Sequence, residues 1–134
     1  MIVVDTNVIG YLYLSSAYSE QAERALLKDA EWAAPLLWRS ELRNVLALYM
    51  RKGWLSLEDA VRIMDEAVRL MAGREYAVDS VQVLELVEKS TCSAYDCEFV
   101  ALARDLGVPL VTVDKQILRD FPREAVSLEA FVGN

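Results

Sequence analysis

The chain is expected to fold as a helix-rich α/β domain around a central, largely parallel sheet. Three observations lead there. Short apolar runs, among them Met1-Ile2-Val3-Val4 and Leu110-Val111-Thr112-Val113, have the length of buried strands. Stretches of helical periodicity separate such runs, which is the pattern of βα units. At 134 residues and 54% hydrophobic composition, the chain is large enough for one domain, residues 1–134, with its own core.

The elements follow in order. Residues 1–5 read as a buried strand. Thr6 and Asn7 are capping types, and 8–14 continues as helix or irregular turn. Ser19, with Glu20 and Glu23 behind it, opens a helix to about residue 30. Trp32-Ala33-Ala34-Pro35 is a short strand. Helices are expected over 37–52 and 56–72, with Gly53 and Gly73 as their stops. Tyr76-Ala77-Val78 is a further strand. Helices over 80–89 and 94–106 come next, the second closed by Gly107. A strand over 109–113, a short helix over 115–121 and a strand over 125–128 complete the pattern, with a helical turn expected at the end. No linker, internal repeat or low-complexity segment interrupts it.

Composition narrows the chemistry. The chain contains no histidine, which excludes imidazole acid–base catalysis and His-ligated zinc. Cys92 and Cys97 are five apart and have no second cluster, so they read as packing thiols. No apolar run approaches the roughly 18 residues of a membrane span. An acid at position 5 without a basic n-region argues against a secretory leader, so a cytoplasmic protein is expected. The net charge of −7 argues against general nucleic-acid binding and suits a basic protein partner.

Four acids stand out. Asp5 and Asp114 end the two apolar runs, at the expected carboxyl ends of strands, where open parallel sheets bind ligands. Glu41 shares a helix face with Leu37, Trp38, Asn44, Val45 and Leu48, and Asn44 is placed to hydrogen-bond it. Asp96 shares one with Phe99, Val100 and Ala103. Each has a plain alternative. Asp5-Thr6-Asn7 makes a good strand-to-helix turn, as does Asp114 before Lys115. Glu41 equally suits the solvated edge of its stripe, and Asp96 the first turn of its helix. Together the four suit Mg²⁺ or Mn²⁺, which take oxygen ligands from carboxylates, water and substrate phosphate. Such ions activate water and stabilise a leaving oxygen in phosphodiester hydrolysis. They would also cancel the local charge that repels a polyanion.

The motifs Val3-Val4-Asp5-Thr6-Asn7, Ser40-Glu41-Leu42-Arg43-Asn44-Val45, Ala94 to Ala103 around Asp96, and Val111-Thr112-Val113-Asp114 resemble those of PIN-domain proteins. The similarity is nearest to the VapC-type toxins of prokaryotic toxin–antitoxin pairs. The resemblance implies a three-layer α/β/α fold and a metal-dependent endoribonuclease using Mg²⁺ or Mn²⁺. It carries Asp5, Glu41, Asp96 and Asp114 over as metal-binding catalytic acids, and Thr6, Asn7, Asn44 and Thr112 as supporting positions. Cys97 stands where the family often has alanine. The implied partners are an RNA substrate, a small antitoxin protein whose tail blocks the site, and a second copy in a homodimer. A helical homodimer is also expected from the many large apolar groups over 37–72. Two other classes stay open: a non-catalytic module whose acidic groove takes a basic peptide, and a haloacid-dehalogenase-like phosphatase using Asp5 as nucleophile. The latter usually has a second acid two residues on, where this chain has Asn7.

Tyr11, Tyr13, Trp38, Tyr49 and Trp54 are at helical spacing among leucines and read as core or subunit contacts before base-stacking groups. Arg39, Arg43, Arg51, Lys52 and Arg62 read first as a solvated helix face.

Overall fold

The computed structural model describes residues 1–133. In chain order these form β1 (Ile2–Val4), α1 (Thr6–Tyr13), α2 (Ser19–Lys28), β2 (Trp32–Pro35), α3 (Leu37–Arg51), α4 (Leu57–Met71) and β3 (Glu75–Tyr76). Then come α5 (Ser80–Glu88), α6 (Ala94–Leu106), β4 (Leu110–Thr112), α7 (Lys115–Asp120), β5 (Ala125–Ser127) and α8 (Leu128–Val132).

The strands make one parallel sheet in the order β3-β2-β1-β4-β5. Its centre explains the apolar runs: every residue of β1 and β4 is buried, so both faces need apolar side chains. The edge strands β3 and β5 are only half-buried and read more polar. From β1 the chain steps outward to β2 and β3, then crosses back over β1 to β4 and β5. Right-handed crossovers place the helices of these two excursions on opposite faces. Accordingly α1 touches α2 and α3, α3 touches α4, and α5 packs along α6, which covers β1, β2 and β4 from the other side. The direction of winding reverses between β1 and β4, and a crevice opens there beyond their carboxyl ends.

Local chemistry sets the helix boundaries. Side chains of Asp5, Ser56, Asp79, Ser93 and Asp114 each accept a backbone N–H at the start of α1, α4, α5, α6 and α7. The Asp5 cap makes α1 a regular helix from Thr6, where the sequence left helix or irregular turn. At the end of α6, Gly107 adopts φ +67°, and the Val108 N–H reaches back to the Ala103 carbonyl at 3.1 Å. This is a left-handed terminus that only glycine enters freely.

The third strand differs from expectation. It is Glu75–Tyr76, not 76–78, and Ala77 and Val78 have left the sheet. An acid hides the strand in the sequence, but Glu75 is fixed by partners on α3. Its Oε1 accepts the Trp38 Nε1–H at 2.7 Å, and Arg39 donates to both carboxylate oxygens at 2.6 Å. Trp38 itself is fully buried. Glu75→Ala therefore strands a buried indole N–H as well as breaking a half-exposed ion pair. A loss of about 1–3 kcal/mol is expected, mostly from the indole. In urea this appears as a lower midpoint with an unchanged slope.

Candidate active site

Two of the acids are set by the sheet. Ladder bonding carries one step past β1, with the Asp5 N–H donating to the Val111 carbonyl at 3.2 Å. The Asp5 side chain is buried. Its Oδ1 accepts the Asn7 N–H at 2.8 Å and its Oδ2 accepts the Thr112 hydroxyl. The same Thr112 Oγ1 accepts the Asp114 N–H at 3.0 Å. A buried hydroxyl thus ties the ends of β1 and β4 together and fixes Asp5 relative to Asp114. Asp114 Oδ1 accepts the Ile117 N–H at 3.0 Å. The turn-forming reading of both residues is therefore correct as local structure, and it leaves lone pairs on their carboxylates.

The other two acids come from helices on opposite faces of the sheet. Glu41 lies beside the buried face of α3, not on it: Trp38, Leu42 and Leu46 are buried, while Asn44 and Leu48 are exposed. The expected bond from Asn44 to Glu41 is absent from the hydrogen bonds of the described residues. Thr6 supplies it, its hydroxyl donating to Glu41 Oε1 at 2.7 Å. Asp96 sits in the first turn of α6, whose cap is Ser93, accepting the Asp96 N–H at 3.1 Å.

These residues meet. Asp5, Glu41, Asp96 and Asp114 all line one cleft of about 440 Å³, with Thr6, Asn7, Ser40, Asn44 and Tyr95. Leu37, Val45, Phe99 and Ile117 complete the wall. No lysine or arginine is among the lining residues. Burial pushes the Asp5, Glu41 and Asp96 carboxyls above the ordinary carboxylate range. Hydrogen bonds from Thr112 and Asn7, from Thr6, and from Ser93 oppose that rise respectively. Mutual repulsion adds to it: Asp114 and Asp96 act on Asp5, Asp5 and Asp96 on Glu41, and Asp114 on Asp96.

The rise has a definite sign. A carboxyl whose folded pKa exceeds its unfolded value contributes stability below the unfolded pKa, and that contribution is lost as pH rises through the folded one. Asp29, Glu75 and Asp120 are shifted downward by their hydrogen-bond partners, Asp120 to about 2, so their contributions disappear only in stronger acid. In EDTA, the melting temperature is expected to rise as pH falls from neutrality to about 5, just above the ordinary carboxylate range. Thermal melts across that interval check it; a flat or falling trend contradicts it.

Residues 2–123 match the PIN domain family. The chain belongs to that family. It is 32% identical over 124 residues to Ribonuclease VapC3 of Pyrobaculum aerophilum, covering 90% of this chain and 95% of that protein. The fold is shared with PAE2754 of Pyrobaculum aerophilum, at 19% identity and a TM-score of 0.76, covering 98% of this chain and 92% of that one. It is shared also with a toxin–antitoxin complex from Klebsiella pneumoniae, at 16% identity and a TM-score of 0.72, covering 96% of this chain and 98% of that one.

The cleft of this PIN domain is a donor set of hard oxygens. Among the described residues no three acids or thiols converge into a ready-made ligand cage. That arrangement still fits an ion of the magnesium type, which keeps several waters and is held through one or two carboxylates. It does not fit a dehydrated structural site. Glu41 Oε2 and Asp114 Oδ2 accept no hydrogen bond within the described residues and remain open to such water. Sequence reasoning passed over Ser40 and Tyr95, which adjoin Glu41 and Asp96 and line the same cleft. Tyr95 is 62% exposed. Adjacency to the acids was the available signal, but helical neighbours normally diverge, and only the curvature of the cleft brings them in.

Proposed function

We propose that this PIN-domain protein is a divalent-metal-dependent endoribonuclease that hydrolyses RNA phosphodiester bonds, and that it is the toxin of a toxin–antitoxin pair. The described residues, 1–133, act in this reading as one PIN-like unit. The observation that carries this reading is the gathering of four carboxylates, without any cationic side chain, in the crevice where the sheet reverses direction. Such a cleft repels phosphate unless cations enter with it. Its likeness to Ribonuclease VapC3 supports the reaction class, and its likeness to the Klebsiella pneumoniae complex supports the partner.

Asp5, Glu41, Asp96 and Asp114 are the groups that would hold Mg²⁺ or Mn²⁺. When bound, such an ion supplies Lewis-acid activation of water and neutralises phosphate charge. The chain's own residues do the positioning. Thr112 holds Asp5 against Asp114, and Thr6 aims Glu41 across the cleft. These hydroxyls orient the carboxylates and oppose the rise that burial imposes on them. Phe99, Ile117, Leu37 and Val45 give the cleft apolar walls, which lower the local dielectric and strengthen electrostatic interactions inside. Asn7, Asn44, Ser40 and Tyr95 also line the cleft and are the uncharged polar groups there that would contact the ribose and bases.

The Asp5-nucleophile reading gains nothing from this geometry. Both Asp5 oxygens accept hydrogen bonds, residue 7 supplies a backbone N–H where a second acid is usual, and Glu41 has no role in it. Among the described residues no helix is long and apolar enough to cross a membrane, and an RNA substrate supports a cytoplasmic reading. Exposed Leu48, Trp54, Leu57 and Val61 support a subunit contact through α3, α4 and their connection. The deciding experiment incubates purified protein with an end-labelled RNA. Internal cleavage is expected with Mg²⁺ or Mn²⁺ and none in EDTA. Cleavage in excess EDTA contradicts the metal mechanism, and intact RNA under every metal contradicts the enzyme.

A further inference from the structure

Beside the acidic cleft lies a second recess of about 100 Å³ between α1 and α3. It shares Thr6, Asn7 and Val45 with the cleft, so the two adjoin across those residues. Its character is different. No charged side chain lines it, and Tyr11 and Tyr49 are its aromatic members. Each is braced by another ring. Tyr18 lies against Tyr11 with centroids 5.0 Å apart, and Trp54 meets Tyr49 edge-on at 5.5 Å. Rings held this way lose little freedom when something stacks on them. Neither hydroxyl has a hydrogen-bond partner among the described residues. Burial and the Asp5 charge push the Tyr11 phenol up to about 12, so it stays a neutral donor.

Gly10 makes the recess. It lies within α1, where glycine is less favourable than alanine. Crowding does not require it: a Cβ there would meet only Leu42 Cδ1, at 3.8 Å. Packing therefore gives no steric reason for the missing side chain, and a longer one at this buried, recess-lining position would extend toward Leu42.

We propose that this recess is a nucleobase subsite, taking the base of a nucleotide that adjoins the scissile phosphate. The inference rests on the endoribonuclease reading and names how that site grips its substrate. A neutral aromatic recess adjoining a phosphate-cleaving cleft matches the alternation of a nucleotide chain, backbone beside base. The volume suits one planar ring and is too small for a helix.

The test compares intact oligoribonucleotides with a series carrying one abasic position, using the natural protein, Gly10→Ala and Gly10→Leu. Stacking of one base corresponds to roughly a fivefold to hundredfold effect. For the natural protein, KM is expected to rise on that scale when the abasic position adjoins the cut, and not at remote positions. Gly10→Leu is expected to raise KM on intact RNA similarly and to treat intact and abasic RNA alike. Gly10→Ala keeps the helix sound, melts no lower, and falls between. Unchanged KM in both variants overturns the subsite. So does a base dependence that survives Gly10→Leu. If a basic peptide protects the natural protein and Gly10→Leu abolishes only that protection, the recess is a protein groove and the proposal fails. If the natural protein cleaves no RNA, the enzyme reading fails. The subsite is then decided separately, by fluorescence anisotropy of the same oligonucleotides in Mg²⁺. A base-dependent affinity lost in Gly10→Leu supports it, and equal affinities refute it.

Discussion

Asp5→Asn is expected to lower kcat for metal-dependent RNA cleavage by roughly 10²–10³ or more, the scale on which one preorganised electrostatic contact is lost. The fold should be unaffected. Asparagine caps helices as well as aspartate does, so the bond from the Asn7 N–H to residue 5 is retained. Removing a charge that burial and neighbouring acids oppose also relieves the metal-free site. The Thr112 hydroxyl loses the carboxylate oxygen it donates to, which opposes that relief, so the signature is a large kinetic loss with the native fold retained in EDTA. Full activity in Asp5→Asn would remove Asp5 from the chemistry. A collapsed fold would show instead that its charge is structural.

The second large effect is on stability. Repulsion among the acids is relieved by a cation that binds the native cleft and not the unfolded chain. At a metal concentration a hundred times the dissociation constant, that linkage stabilises by about 2.7 kcal/mol. For a domain of this size the shift in melting temperature is about 10 °C. Asp96→Asn is expected to melt higher than the natural protein in EDTA, because burial and Asp114 disfavour its charge. It should then gain much less from Mg²⁺ or Mn²⁺. Ser93, not Asp96, caps α6, so the substitution leaves the cap intact. A mutant that is weaker in EDTA yet responds fully to metal would make Asp96 a helix-terminus residue and nothing more.

How much of this was readable from the chain depends on the kind of contact. Asp5 and Asp114 could be placed because each ends a fully apolar run, and such runs in a βα pattern can only be central parallel strands. Their meeting at one crevice follows from that topology. Glu41 and Asp96 were harder. The stripe assigned to Glu41 mixed buried Trp38 and half-buried Leu37 and Val45 with exposed Asn44 and Leu48, and missed Leu42 and Leu46 of the buried face, because position on a helix is continuous and periodicity marks only its centre. The hydroxyl that aims Glu41 belongs to Thr6, 35 residues away. No spacing rule reaches it, since it depends on how α1 packs on α3. Asn44, one turn along, was the local choice and the wrong one. The third strand was displaced for a similar reason: Glu75 is stable at a sheet edge only because Trp38 and Arg39 lie against it. Tyr11 and Tyr49 were read first as core or subunit contacts and only second as base-stacking groups, and nothing in the chain said that they line one recess, which depends on how α1 packs on α3.

The most direct measurement counts metal rather than product. Mn²⁺ titrated into metal-free protein can be followed through the electron paramagnetic resonance signal of the free ion. At least one Mn²⁺ per chain is expected to be taken up at neutral pH and displaced by Mg²⁺. Affinity should fall sharply in Asp5→Asn, and again as pH drops and the raised carboxyls protonate. Absence of uptake, or uptake unchanged in Asp5→Asn and Asp96→Asn alike, would mean that the four acids of this cleft do not hold the catalytic ion.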